Sequence, residues 1–216
     1  MDTLKKHEVF EIEVLEALKN AKLLEPVIFG GGTMLRLCYE LNRYSADLDF
    51  WVVKKIKTAV YFQKLKECLL GQYELTDAKI KFNSILLEIR SKDYPKRLKI
   101  EIRKGIKDCD TEERIAFSKY SLKQVILKVH SLKQTMKNKI EAALDRGEIR
   151  DFFDLEFLLR RGIPMELSKQ QKNSLRTKIG KFKDRDFKVI LGSILDPDMR
   201  QYYIKNKFNF LSEKLK

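Results

Sequence analysis

Residues 30–50 read GGGTMLRLCYELNRYSADLDF, and the reading of this stretch decides the fold. The preceding residues 26–29, PVIF, form a short apolar run that suits a buried strand ending in a turn at the glycines. TMLRLCYELNR carries Leu35, Leu37, Tyr39 and Leu41 among helix formers, so a helix follows the turn. The next strand is DLDFWVV, residues 47–53.

A strand that runs through Gly30-Gly31-Gly32-Thr33 into a helix leaves backbone N–H groups unpaired at the helix start, where donors and dipole attract phosphate. Gly31 and Gly32 would let a phosphate approach closely. The Thr33 hydroxyl would donate to it or cap the helix, and a tight turn with a Thr cap is the plain structural alternative. The stretch lacks both GKS/GKT and GxGxxG, so it is neither a Walker loop nor a dinucleotide fingerprint.

In a strand, residues two apart face the same way, so Asp47 and Asp49 project together while Leu48 and Phe50 face the core. Two like charges side by side are costly unless a cation neutralises them. A metal held there would meet the triphosphate of a nucleotide cradled by the glycines, and two metals would serve an in-line displacement of pyrophosphate. A third carboxylate is expected from Glu101 on the polar face of LKIEIRK, or from Glu88 on that of SILLEIR. Glu101 is preferred because its strand comes last and should lie beside the aspartate strand.

The rest of the composition narrows the class. The chain has 216 residues, 44% apolar and 35% charged, which describes a globular protein with room for a core. No run approaches the roughly 20 apolar residues that span a bilayer. The start, MDTLKKHEVFEIEVL, places acidic residues where a signal peptide has its apolar block, so a cytoplasmic protein without membrane contact is expected. Cys38, Cys68 and Cys109 are widely spaced and lack a CxxC pair, and His7 and His130 are far apart. Any metal is therefore expected on carboxylates, as a hard cation such as magnesium, with manganese as the substitute. The formal charge of +14 suits either a polyanionic partner or a well-solvated basic surface.

Along the chain, EVFEIEVLEALK (8–19) and KTAVYFQKLKECLL (57–70) read as helices. Strands are expected near 73–75, 83–91 and 97–104, the last two joined by the hairpin loop SKDYPK. Beyond about residue 110 the strand signal fades, and helices are expected near 121–146, 151–160, 166–181, 185–194 and 197–214. The expected class is α+β: a domain over 1–112 with a mixed sheet and flanking helices, then a helical bundle over 113–216.

GGGTMLRLCYELNRYSADLDF resembles the opening signature of the nucleotidyltransferase superfamily. More narrowly it is similar to the AbiEii/AbiGii toxin family, DUF1814, with Gly-Gly-Thr, a helix, and then Arg-x-Ser-x-Asp-Leu-Asp-Phe at Arg43, Ser45, Asp47, Leu48, Asp49 and Phe50. That family's second signature is a Lys followed by Arg-Asp-x-x-Asp-Leu. KIEAALDRGEIRDFFDLEFLL matches it at Lys139, Arg146, Arg150, Asp151, Asp154 and Leu155.

The resemblance implies a nucleotidyltransferase-like sheet and a helical half that contributes Lys and Asp to the active-site cleft. It implies catalytic roles for Asp47, Asp49, Lys139 and Asp151, metal ligation by Asp47 and Asp49, to which the strand pattern adds Glu101 with Glu88 as the alternative, and nucleotide binding by Gly31, Gly32, Thr33, Arg43, Ser45, Lys139, Arg150 and Asp154. The implied activity is magnesium-dependent transfer of NMP from NTP to RNA, the acceptor being a tRNA 3′ end, by the toxin of a pair whose antitoxin is a separate protein. The basic stretch KQQKNSLRTKIGKFKDRDFK (169–188) would face RNA or simply solvent. A small-molecule nucleotidyltransferase of the antibiotic-modifying kind and a non-catalytic nucleotide- or RNA-binding protein are the competing functions.

Overall fold

Val27–Gly30 is buried at all four positions and forms β1, which passes without an intervening loop into α2 (Gly31–Tyr39). It follows α1 (Thr3–Asn20), whose Phe10, Val14, Leu15 and Leu18 are buried. The computed structural model describes residues 3–106 and 108–216. Next come β2 (Asp47–Val52), α3 (Thr58–Leu70), β3 (Glu74–Ile80), β4 (Ser84–Arg90), β5 (Leu98–Arg103), β6 (Thr111–Phe117) and β7 (Gln124–His130).

These strands make one seven-stranded mixed sheet in the order β3-β4-β5-β2-β1-β7-β6. The β2–β5 and β1–β7 pairs are parallel and the other pairs antiparallel. The alternation read from the sequence is realised. Leu48, Phe50 and Val52 of β2, and Leu98, Ile100 and Ile102 of β5, are buried, while Asp47, Asp49, Lys99 and Glu101 lie on the opposite, half-open face.

The expected absence of strands beyond residue 110 is corrected by β6 and β7, and the helix expected from about 121 starts only after Ser131. In β7, Val125, Leu127 and Val129 are buried, but Ile126 between them is 54% exposed. The apolar run therefore hides its period of two among lysines that suit a helix equally well. β6 is an edge strand rich in charge, with Ala116 as its buried residue, a composition that discourages further pairing.

Because β6 and β7 belong to the sheet, the chain divides into compact units after His130 and not near residue 112. The first unit holds the residues up to Glu40 together with Tyr44–His130, and the second holds Leu41–Arg43 with Ser131–Lys216. The second unit contains α4 (Leu132–Asp145), α5 (Ile149–Arg160), α6 (Lys169–Ile179), a π-helical turn (Asp186–Leu191), α7 (Pro197–Asn206) and α8 (Asn209–Lys214). Ser131 caps α4 by accepting from the Gln134 N–H, and Ser168 with Gln171 forms a capping box on α6. Phe152, Phe182, Phe187 and Phe208 pack ring to ring as the core of this unit.

His130 closes β7 almost fully buried, its ring edge-on to Trp51, and burial lowers its pKa from 6.5 to about 4. The folded protein favours the neutral ring, so its contribution is complete above the unfolded value near 6.5 and is lost as pH falls towards 4. Comparing wild type with His130→Asn by chemical denaturation cancels other groups, among them buried Glu11, whose raised pKa acts in the opposite sense. The wild-type advantage is expected to shrink by about 2–3 kcal/mol between pH 7.5 and pH 4.5. A constant difference would show that His130 is not held neutral.

Candidate active site

The antiparallel register places Gly30 opposite Asp49, which brings β2 back against the start of α2. Gly31 has φ +77°, and a Cβ there would lie 2.5 Å from Oδ2 and 3.0 Å from Cβ of Asp49. The missing side chain thus makes room for a carboxylate at the helix N-terminus, where the dipole favours negative charge. Gly30 is equally constrained, since a Cβ would come within 2.5 Å of the Trp51 ring and 2.7 Å of His130 Nδ1.

Gly31→Ala combines a left-handed backbone with this clash. It is expected to cost about 1–2 kcal/mol of stability and to lower nucleotide transfer about 10²-fold by displacing Asp49. Gly105→Ala, with nothing within 4 Å, is the neutral control. Melting curves and turnover measured side by side check both, and full activity in Gly31→Ala would show that the position of Asp49 is not critical.

Thr33 is fully buried, and its hydroxyl donates to the Asp47 carbonyl oxygen at 2.6 Å. It holds the start of β2; the residue before the helix, Gly30, offers no side-chain cap. Gly32 is buried in the same first turn, and Ser45 is half-buried ahead of β2. A second tie comes from α1. His7 Nε2 is 3.1 Å from the Ala46 oxygen, and since a carbonyl only accepts, Nε2 carries the proton. Burial lowers the His7 pKa, which keeps the ring neutral in this role.

Across the parallel β2–β5 pair, Asp47 lies opposite Lys99 and Asp49 opposite Glu101. Lys99 Nζ is 3.3 Å from Asp47 and 3.6 Å from Glu101. Partial burial works against its charge, but Asp47, Glu101 and Asp49 outweigh that and raise its pKa. Glu101 also accepts from Ser84 Oγ at 2.9 Å. Glu88 is engaged elsewhere: it accepts from Thr76 at 2.7 Å and Arg97 at 2.9 Å, and these bonds lower its pKa. Of the two expected third carboxylates, then, Glu101 is the one beside Asp49.

Among the described residues no three His, Cys, Asp or Glu side chains converge on one point as a metal cage would require. Magnesium does not need such a cage, because it binds through one or two carboxylates and completes its shell with water and substrate phosphates. Two hard-oxygen aspartates on one strand face, one of them fitted against Gly31, meet that requirement.

The second signature forms a buried ionic cluster within the second unit. Arg43 grips Asp154 with two parallel bonds, Nε to Oδ1 and Nη2 to Oδ2, each 2.7 Å. Lys139 Nζ approaches Asp154 at 2.6 Å and Asp151 at 3.5 Å. Arg146 makes a second bidentate pair, 2.8 Å to each oxygen of Asp151. Asp151 and Asp154 are both fully buried. Burial pushes the Asp154 carboxyl up, but Arg43 and Lys139 outweigh it and hold the group below the usual carboxylate range.

Arg150 is not in this cluster; its side chain is 47% exposed and pairs with Glu148 at 2.6 Å. The residues without an expected role are Arg146 and Lys99. Arg146 follows the last turn of α4, three residues before α5, and its place in the matched signature was the available signal. Lys99 stands two residues before Glu101 on the same strand face, which the same period of two makes visible.

Among the described residues no helix is long and apolar enough to cross a membrane. No curated protein matches the chain significantly. Among solved structures the chain is similar to JHP933 from Helicobacter pylori, with 22% identity and a TM-score of 0.54 over 94% of this chain and 90% of that one. It is also similar to MenT4, a nucleotidyltransferase toxin from Mycobacterium tuberculosis H37Rv, with 16% identity and a TM-score of 0.52 over 95% of this chain and 85% of that one. At these identities the likeness is one of fold. The family described as nucleotidyl transferase AbiEii toxin, type IV TA system, matches residues 13–211. With that match spanning the glycine turn, the paired aspartates and the ionic cluster alike, the chain belongs to the AbiEii nucleotidyltransferase toxins of type IV toxin–antitoxin systems.

Proposed function

We propose that this nucleotidyltransferase moves a nucleoside monophosphate from an NTP to an RNA acceptor, the 3′ end of a tRNA, and releases pyrophosphate, with magnesium or manganese as its cofactor. The observation that carries the reading is the seat of Asp49: its carboxylate rests against Gly31 at the start of α2, with Asp47 beside it on the open face of β2. A divalent cation bound by Asp47 and Asp49, with Glu101 beside them, would supply Lewis-acid stabilisation of phosphate charge.

The chain's own groups do the rest. The first turn of α2 offers backbone N–H groups to phosphate oxygens. Thr33 and His7 fix the backbone on either side of the Ala46–Asp47 bond, so the carboxylates are held before substrate arrives. Lys99 partly offsets the negative charge of Asp47 and Glu101. As the acceptor hydroxyl bonds to the α-phosphorus, the bond to the bridging oxygen of pyrophosphate breaks, and the hydroxyl proton leaves to a carboxylate of this face. In the second unit, Arg43, Asp154 and Asp151 position Lys139, whose ammonium they hold at a fixed point.

A net charge of +14 supports RNA over cationic small molecules as acceptor. The family supports a separately encoded antitoxin as partner, and the composition supports a cytoplasmic setting. Incubation with each labelled NTP, magnesium and total RNA tests the reading. Label is expected on RNA, concentrated in the tRNA fraction, and chelation should abolish it. Label confined to small molecules, or RNA binding without transfer, would overturn it.

A further inference from the structure

A cavity of about 260 Å³ opens within the second unit. Phe153 and Tyr203 line it from its buried side, half-buried Met199 and Phe157 and the 40%-exposed Tyr202 complete its apolar walls, and Asn42 and Arg160 bring polar groups. We infer that this pocket binds one unstacked nucleobase of single-stranded RNA, and so serves as an acceptor subsite; the inference rests on the reading of the acceptor as RNA.

Three observations point to this ligand class. The first is size: the cavity is smaller than the ~300–1,000 Å³ of drug-sized sites, which leaves room for a base or nucleoside. The second is chemistry. Aromatic faces stack bases of any sequence, while an amide and a guanidinium offer hydrogen bonds to a base edge.

The walls are also built and held. The Tyr203 hydroxyl donates to buried Glu156 at 3.1 Å, and its ring lies 4.9 Å from Phe153. Arg160 donates to Glu156 at 3.0 Å and to the Tyr202 hydroxyl at 2.9 Å, with its guanidinium 4.3 Å above the Phe210 ring. Glu156 accepts from the Leu211 N–H as well, so one buried carboxylate organises the Arg160–Tyr203 side of the pocket.

The third observation is charge. The second unit holds 21 Lys and Arg against 12 Asp and Glu, a surplus of 9 within the chain's +14. Arg161, whose guanidinium lies 5.0 Å from the Phe157 ring, adds a cation beside this wall, while Asp196 and Asp198 at the start of α7 subtract from the surplus. A base carried on a phosphate chain satisfies both the apolar lining and the basic surroundings, whereas a cationic ligand would meet repulsion.

Binding of a single-stranded RNA oligonucleotide containing 2-aminopurine tests the inference without catalysis. Wild type should quench the probe by stacking. Tyr202→Ala and Asn42→Ala should weaken binding, with about a 5- to 100-fold rise in Kd and loss of quenching for Tyr202→Ala, and Tyr202→Phe should restore quenching. Melting curves confirm that the variants stay folded. NTP binding measured separately should not change in any of them.

If wild type labels and binds RNA but the pocket variants bind and quench like wild type, the pocket inference fails and the RNA reading stands. If wild type neither binds nor labels RNA, both fail. Variants that lose antitoxin binding while keeping RNA affinity would overturn the inference in favour of a protein interface.

Discussion

Asp47→Asn and Asp49→Asn are each expected to lower nucleotide transfer about 10³-fold or more while leaving the melting temperature nearly unchanged. Asparagine keeps the volume of aspartate, so the fit of residue 49 against Gly31 survives and only the charge is lost. That charge is what would bind the cation and stabilise phosphate in the transition state, an effect of about 4 kcal/mol, or roughly three powers of ten in rate. Glu101→Gln should cost less, about 10- to 100-fold, as a group that supports the pair from the adjacent strand. Single-turnover transfer with saturating NTP and metal separates lost chemistry from lost binding. Either aspartate variant retaining activity within tenfold of wild type would remove this pair from the reaction.

The largest stability effect should follow Asp154→Ala. Asp154 is fully buried between Arg43, at 2.7 Å, and Lys139, at 2.6 Å. Removing it leaves two largely buried cations without their main counterion, a change that costs about 3–5 kcal/mol. Native proteins hold only about 5–15 kcal/mol in total, so a fall in melting temperature of roughly 6–20 °C is expected at this chain length. Replacing the whole group, with Arg43→Met, Lys139→Met and Asp154→Leu together, should recover most of that loss, because an apolar set of similar volume needs no desolvation of charge. Arg150→Ala, at an exposed ion pair, should change stability by less than about 1 kcal/mol. A single Asp154→Ala variant that melts like wild type would mean that Arg43 and Lys139 find other partners.

The contrast between Arg150 and Arg146 shows where sequence reading stopped. Both flank the start of α5 and both lie in the second signature, so spacing alone treats them alike. The fold aims Arg146 at Asp151 and leaves Arg150 with Glu148, because helix geometry places a residue on a face without saying what that face meets. Glu101 and Glu88 pose the same problem on strands. Each sits on the polar side by periodicity, and only pairing with β2 puts Glu101 opposite Asp49 while Thr76 and Arg97 occupy Glu88.

The strands β6 and β7 were hidden for a related reason. An edge region with exposed Ile115, Phe117 and Ile126 does not show a clean alternation, and its lysines and glutamates carry no preference strong enough to exclude helix.

From the sequence alone came the features around the glycine turn that depend on backbone period and residue chemistry. The glycine turn between β1 and α2, the two aspartates on one face of β2 and the paired family signatures are all local, and local geometry repeats wherever the residues recur. Tertiary structure decided what depends on partners distant along the chain. It set Asp49 into the space left by Gly31, Lys99 between Asp47 and Glu101, and Arg43 onto Asp154, 111 residues away. Strand register and burial bring these charges together, and neither can be read from one segment, because each is the outcome of packing the whole unit.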